Sequence, residues 1–360
     1  MAIDYPPRYS IQNRKTPDEV PNLDIRSEVN AVDDLNISND GTESICDAVE
    51  NLSDGEKLVL PPGEYLWDRS VVVGSDDIGI EGLGSSHRDV TLVFPEGFGE
   101  FFLNKGGGRG LLLKNFSINQ TNDRVTGASL RAILDDALHI KDVEWLGFNP
   151  PTSEGTGAMM RARIESQDGL AVIDGLRASG GGCIGTYPDR AGGHFLGSNH
   201  EGTLYLINSD IRNLGSSAMY YTQHKGCTRI ENCFLKNNDN VNVRIDGGDH
   251  PTKESWVKNT RIVVDTDNAT GTHFGGDDYN GEYGGFENTR AILHESGGSQ
   301  RTYGGNGGVL VENVDVKWLS APPLSGRDAV IAVRGNHGAV TYRNLRVQID
   351  SQNERHDPFE

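Results

Sequence analysis

Nine short segments of this chain carry one pattern, apolar-x-apolar-x-Asn/Asp-x-x-apolar, and no other feature restricts the fold as much. They are LLLKNFSI around Asn115, LHIKDVEW around Asp142, LAVIDGLRA around Asp174, LYLINSDI around Asn208 and TRIENCFL around Asn232. SWVKNTRIVV around Asn259, FENTRAIL around Asn288, VLVENVDV around Asn313 and VTYRNLRV around Asn344 complete the set, and IGIEGLG puts Gly82 at the same place. The intervals from Asn115 to Asn344 run 27, 32, 34, 24, 27, 29, 25 and 31 residues. A helical repeat must hold its length to hold its packing, whereas the coils of a parallel β-helix absorb insertions in their turns. Within each segment the apolar residues alternate with period two, as in strands with one face inward.

The Asn or Asp has a structural reason at the corner of such a coil. Its short polar side chain satisfies the backbone at a bend, tolerates the left-handed conformation, and pairs with its equivalent one coil away. These residues are therefore read as a ladder, not as catalytic groups. A second strand follows in several coils: SLRAIL at 129–134, ARIES at 162–166, AMYYTQH at 218–224, VNVRID at 241–246 and AVIAVRG at 329–335. The fold class predicted is all-β: a right-handed, single-stranded parallel β-helix of about ten coils, on the order of 45–50 Å long at the usual strand spacing.

Open strand edges at the ends of a rod need caps. ESICDAVENL, residues 43–52, spaces Ile45, Val49 and Leu52 as one helical face with Thr42 or Ser44 as N-cap, and predicts a short capping helix. The domain reading is an N-terminal extension or adaptor over 1–40, the β-helix over 41–350 and a tail over 351–360.

Composition adds environment. The chain has 52 Asp plus Glu against 33 Lys plus Arg, a formal charge of -19, 46 glycines, and 10 Lys against 23 Arg. Glycine excess suits many tight turns, and the acidic field repels phosphate, which excludes a nucleic-acid binder. Acidity with few lysines and low hydrophobicity matches a protein soluble in concentrated salt. No run of about 18 apolar residues offers a membrane span. The first 25 residues lack an apolar stretch with a cleavage site, so no export signal is expected in this chain. Cys46, Cys183, Cys227 and Cys233 match no zinc or redox spacing; buried thiols are the favoured reading, with a Cys227–Cys233 disulfide left open. Five Asn-x-Ser/Thr sequons, at Asn36, Asn51, Asn115, Asn119 and Asn268, add weak support for a surface protein.

The helix at 43–52, then KLVLPPGEYLWDRSVVV and IGIEGLG, then the Asn-marked coils, resemble the pectin-lyase-like right-handed β-helix superfamily over roughly residues 41–350. Together with the salt-adapted composition, the chain is similar to β-helix proteins of haloarchaea and their viruses. The superfamily holds pectate lyases, polygalacturonases, alginate lyases and epimerases, and also virus tail spikes and non-enzymatic surface proteins, so the resemblance implies the fold more sharply than the function.

The polygalacturonase residue pattern is broken here. NNDNVNVRIDGGDH at 237–250 supplies Asp239 and Arg244 but neither an Asp pair nor a Gly-His-Gly, and the Asp277–Asp278 pair falls a coil later in a Gly-rich loop. That pair reads as a turn first and as a calcium site second. A lyase or epimerase needs a base near the sugar ring and a cation on the uronate carboxylate. If Val241, Val243 and Ile245 face inward, Asn242, Arg244 and Asp246 face outward. The candidate catalytic set is Asp239, Arg244, Asp246 and His224. Tyr220, Tyr221, Asn242, Arg163, Arg131 and Arg334 are the candidate glycan-binding set. Solvated outward residues, with Arg paired to Asp, are the plain alternative.

Two functions follow. The first is a structural or receptor-binding rod of a virion or surface appendage, homo-oligomeric, docked on a larger assembly through residues 1–40 and meeting a host-surface glycan. The alternative is a secreted polysaccharide lyase, glycoside hydrolase or uronate epimerase.

Overall fold

The computed structural model describes residues 13–350 except 122–125, 151–157, 183–191, 251, 270–289, 296–307, 321–329 and 335–338. Its strands pair in parallel, coil upon coil, into a β-helix. Among the described residues one sheet has nine strands, running coil by coil from Val71–Val72 to Ile331–Arg334. The other has twenty, because most coils contribute two arms separated by a bend.

The strand Gly110–Gln120 illustrates the bend. Leu111 and Leu113 are buried, Lys114 and Asn115 both lie outside, and Phe116 and Ile118 are buried again. The alternation slips by one residue because Asn115 sits at φ 60°, turning the strand so that both arms face one core. Leu111 pairs with Leu138, Leu113 with Ile140, Phe116 with Val143 and Ile118 with Trp145, so like residues stack along the rod. Each fully buried Leu or Ile in such a stack contributes roughly 1.5–3 kcal/mol.

The ladder recurs at Asp142, Asn208, Asn232, Asn259, Asn313 and Asn344, with φ between 48° and 55°. Asn232 Nδ2 donates to Asn208 Oδ1 at 2.7 Å, and Asn344 Nδ2 to Asn313 Oδ1 at 2.7 Å. Two expected members differ. In LAVIDGLRA the left-handed residue is Gly175, φ 78°, and Asp174 is the last residue of its arm. Gly82 aligns with Asn115 without the left-handed bend and instead accepts, through its carbonyl, a hydrogen bond from Asn115 Nδ2 at 2.9 Å. Asn288 lies outside the described residues, but FENTRAIL is not a ladder coil: Arg290–Glu295 belongs to the nine-stranded sheet, and the ladder runs directly from Asn259 to Asn313, whose Nδ2 donates to Asn259 Oδ1 at 3.3 Å.

The capping helix is shorter than predicted, Cys46–Glu50, with Ile45, Val49 and Leu52 buried as expected. Ile45 holds the N-cap position, and Ser44 Oγ accepts from the Cys46 N–H at 3.2 Å. The segment read as an extension is partly built into the rod. Ser27–Asn30 pairs with Glu56–Leu60 as an outer strand, and residues 13–19 form a strap over the ladder. Arg14 spans Asp142 and Asp174, filling the space beside Gly175 where a ladder side chain would stand. Lys15 exchanges backbone hydrogen bonds with the Asn208 amide, at 2.9 Å each. Cys46, Cys227 and Cys233 are buried free thiols, so the Cys227–Cys233 disulfide is not formed; Cys183 lies outside the described residues.

Candidate functional site

The register of the nine-stranded sheet brings one outward line of side chains together: Asn104, Arg131, Arg161, Phe195, Tyr220 and Arg244 stand opposite one another on successive coils. The alternate line, Leu130, Met160, His194, Met219 and Val243, is buried in the core. Of the sequence candidates, this register places Arg131, Tyr220 and Arg244 on the outside, and it decides between Tyr220 and Tyr221, which the sequence left open.

These outward groups touch in sequence along the rod. Arg131 donates to the neutral Asn104 Oδ1 at 2.7 Å, so that contact leaves its charge uncancelled. The Arg161 guanidinium lies 5.6 Å from the Phe195 ring and 6.0 Å from that of Phe101. Phe195 and Tyr220 are 5.2 Å apart between centroids, and Arg244 stacks 3.9 Å over Tyr220. Such cation–π contacts hold guanidinium groups flat against the ring faces. Arg244 also ion-pairs with Glu295 of the next coil. Arg163 pairs with Glu165 at 2.6 Å, and Arg334 stands opposite Glu295, both partly exposed.

The remaining predicted residues are not on this surface. Tyr221 is buried, since it alternates with Tyr220; its O–H meets His194 Nδ1 at 2.7 Å, while His194 Nε2 lies 2.8 Å from the Ala162 carbonyl. With Nε2 donating to that carbonyl, Nδ1 accepts from the phenol, and burial holds the imidazole pKa down at about 4. Asn242 is buried too: its Oδ1 accepts from Asn238 at 2.9 Å and its Nδ2 donates to the Arg290 carbonyl at 3.0 Å, which fixes the turn before the strand. Asp239 is buried in that same turn, its Oδ1 accepting from the Asn240 N–H at 2.8 Å.

His224 and Asp246 form a buried pair at the corner after the sheet, 3.3 Å apart, with the Gly248 N–H on the carboxylate at 2.9 Å. Burial pushes the Asp246 carboxyl upward against the pull of His224 and of the Gln223 and Gly248 N–H groups. Of the four predicted catalytic residues, then, Arg244 alone reaches the outward line, and at 9% exposure it does so by its edge. Ile245 pairs with His294, so Asp246 and Glu295, each one residue further on, stand on neighbouring coils, Asp246 two residues beyond Arg244 on its own coil.

Sequence reading passed over Arg161, Phe195 and Glu295. The signal for Arg161 was present: AMMRARI alternates, and Arg161 shares a face with Arg163. Phe195 sits on a strand outside the repeat pattern, and Glu295 lies two residues beyond FENTRAIL, a segment read as a ladder coil although its strand belongs to the nine-stranded sheet. Asp277 and Asp278, the proposed calcium pair, lie outside the described residues. Among the described residues no group of three or more His, Cys, Asp or Glu side chains is placed to hold a metal ion, and no helix is long and apolar enough to cross a membrane.

No family model and no curated protein matches this sequence. Solved structures similar to it include an alginate lyase from Paenibacillus sp. str. FPU-7, 14% identical, with 89% of this chain and 99% of that one covered and a TM-score of 0.46. The catalytic unit of an α-1,3-glucanase from Streptomyces thermodiastaticus is 13% identical over 95% of this chain and 72% of the other, TM-score 0.41. The A-module of a mannuronan C-5 epimerase from Azotobacter vinelandii is 13% identical over 90% and 96%, TM-score 0.32.

Proposed function

We propose that this chain binds an acidic polysaccharide along the outward face of its nine-stranded sheet and acts on it as a uronate lyase or epimerase. The observation that carries this reading is the line Arg131–Arg161–Phe195–Tyr220–Arg244, whose cations and ring faces recur at the coil spacing on a chain of net charge -19. Guanidinium groups suit the planar carboxylate of a uronate, and aromatic faces suit pyranose rings. In the chemistry proposed, Arg244 turns the edge of its guanidinium not held by Glu295 to the carboxylate and so acidifies the adjacent C5 proton; the Tyr220 oxygen beside it, as phenolate, takes that proton and passes it to O4 of the departing sugar as the C4–O4 bond breaks and the C4–C5 double bond forms.

A second reading is a rod that binds glycan without turnover, as part of a virion or surface appendage. The burial of Asp239, Asp246 and His224 favours it, because those groups are withdrawn from any ligand on the line. Incubation with polygalacturonate, alginate and a neutral glucan separates the two, with unsaturated product followed by ultraviolet absorbance and C5 proton exchange by NMR. The proposal expects turnover of a polyuronate that falls at least about 100-fold in Tyr220→Phe. Binding of polyuronate with no turnover supports the appendage reading, and equal binding of the neutral glucan contradicts the acidic-polysaccharide proposal.

A further inference from the structure

A second cluster of cations and aromatic rings lies on the twenty-stranded sheet, where Tyr205, Arg229 and Trp256 stand opposite one another on three successive coils. The Arg229 guanidinium lies 4.0 Å from the Trp256 ring and 5.1 Å from that of Tyr205, and it also touches the Tyr205 hydroxyl. Lys253 enters from the side, its Nζ donating to Thr203 Oγ1 at 2.9 Å. One carboxylate sits among them, that of Glu19 in the N-terminal strap. Its Oε1 accepts from Tyr205 Oη at 3.1 Å and lies 3.5 Å from Arg229, and its Oε2 is 3.6 Å from Lys253.

The fit is one-sided. The Tyr205 ring is buried and the Arg229 side chain is 12% exposed, whereas the Glu19 side chain is 43% exposed. Two cations face a single anion, and the strap is fastened elsewhere, by Arg14 on Asp142 and Asp174 and by Lys15 on Glu231. Without Glu19 the buried phenol would lose its acceptor, and the nearly buried Arg229 guanidinium would keep only neutral partners, the Tyr205 hydroxyl and the Glu254 carbonyl, with no anion beside it; an uncompensated charge there is costly enough that the cluster selects a replacement anion.

We infer that Tyr205, Arg229 and Lys253 form a second carboxylate-binding site, filled by the chain's own Glu19, which the carboxylate of an acidic glycan occupies when the strap lifts. The choice of a uronate rests on the function proposed above; the site itself rests on the geometry here. The strap thereby competes with an external sugar acid and gates a second contact with the polymer.

Trp256 reports on this site, because Trp67, Trp145 and Trp318 are buried in the core while Trp256 is partly exposed. Trigalacturonate is titrated into the wild-type chain, Glu19→Gln and the double variant Glu19→Gln/Arg229→Ala, with Trp256→Phe identifying the signal. Glu19→Gln is expected to bind at least tenfold more tightly than wild type, the double variant to lose that gain, and maltotriose to give no change. The inference is overturned if Glu19→Gln gains nothing, if the gain survives Arg229→Ala, or if only a peptide of residues 13–20 binds. Arg161→Ala in the Glu19→Gln background separates this site from the outward line: it leaves the Trp256 response intact even if binding on the nine-stranded sheet fails.

Discussion

At the scale of single residues the fold rests on side chains that permit a left-handed bend and then bond across coils. Asn208 is the most connected. At φ 52° its Nδ2 donates to Asp174 Oδ1 at 2.7 Å and to the Lys15 carbonyl at 2.9 Å, and its Oδ1 accepts from Asn232 and from the Lys15 N–H. Asn208→Ala is expected to destabilise the protein by about 3 kcal/mol in urea denaturation, combining left-handed strain with the lost hydrogen bonds. Asn208→Gly keeps the bend and should recover about 1 kcal/mol of that loss. Equal losses would mean that the backbone conformation is not the cause. Most of this ladder was legible, because Asn within alternating apolar residues is a local signal. Asp174 was misassigned by one position, since the neighbouring Gly175 takes the bend and a side chain from far away, Arg14, fills its place.

Elements are tied together by contacts that no local pattern announces. The turn after Ile78–Gly82 carries His87 and Arg88 to Glu144, two coils further along. Burial alone would raise the Glu144 carboxyl, but hydrogen bonds from His87 and Arg88 and the charge of Arg88 outweigh it and hold the group down at about 2. Because the folded value lies below the unfolded one, this carboxylate's stabilisation is complete above pH ~4.5 and is lost as pH falls towards 2, about 3 kcal/mol in all. His194 acts earlier: held neutral by burial to about 4, it opposes folding progressively as pH drops from ~6.5 towards 4. Thermal melts across pH 7 to 2 should therefore show Glu144→Gln less stable than wild type at pH 6 and nearly level with it near pH 2. A constant gap across the range would contradict this assignment. The strap was illegible for a similar reason: an extended polar segment has no periodicity, and its partners lie more than a hundred residues away.

For the whole molecule, the sequence-derived coils determined the architecture, while the functional surface came from the register between them. Alternation alone placed Arg244 outside and left Tyr220 and Tyr221 undecided, and it also put Asn242 and Asp246 outside, because it could not foresee that the turns at both ends of the strand would cover them. The line from Arg131 to Arg244 crosses four coil steps, roughly 19 Å at the usual strand spacing. A glycan lying along the rod must then gain contacts with each added sugar until the line is spanned. The most direct measurement is calorimetric affinity for oligogalacturonates of increasing length, in wild type and in Arg161→Ala. Affinity is expected to climb steeply up to about four or five sugars and then level off, with Arg161→Ala losing tenfold or more on the long oligomers and little on the monomer. A monosaccharide bound as tightly as a hexamer, or long oligomers indifferent to Arg161→Ala, would contradict a binding face on the nine-stranded sheet.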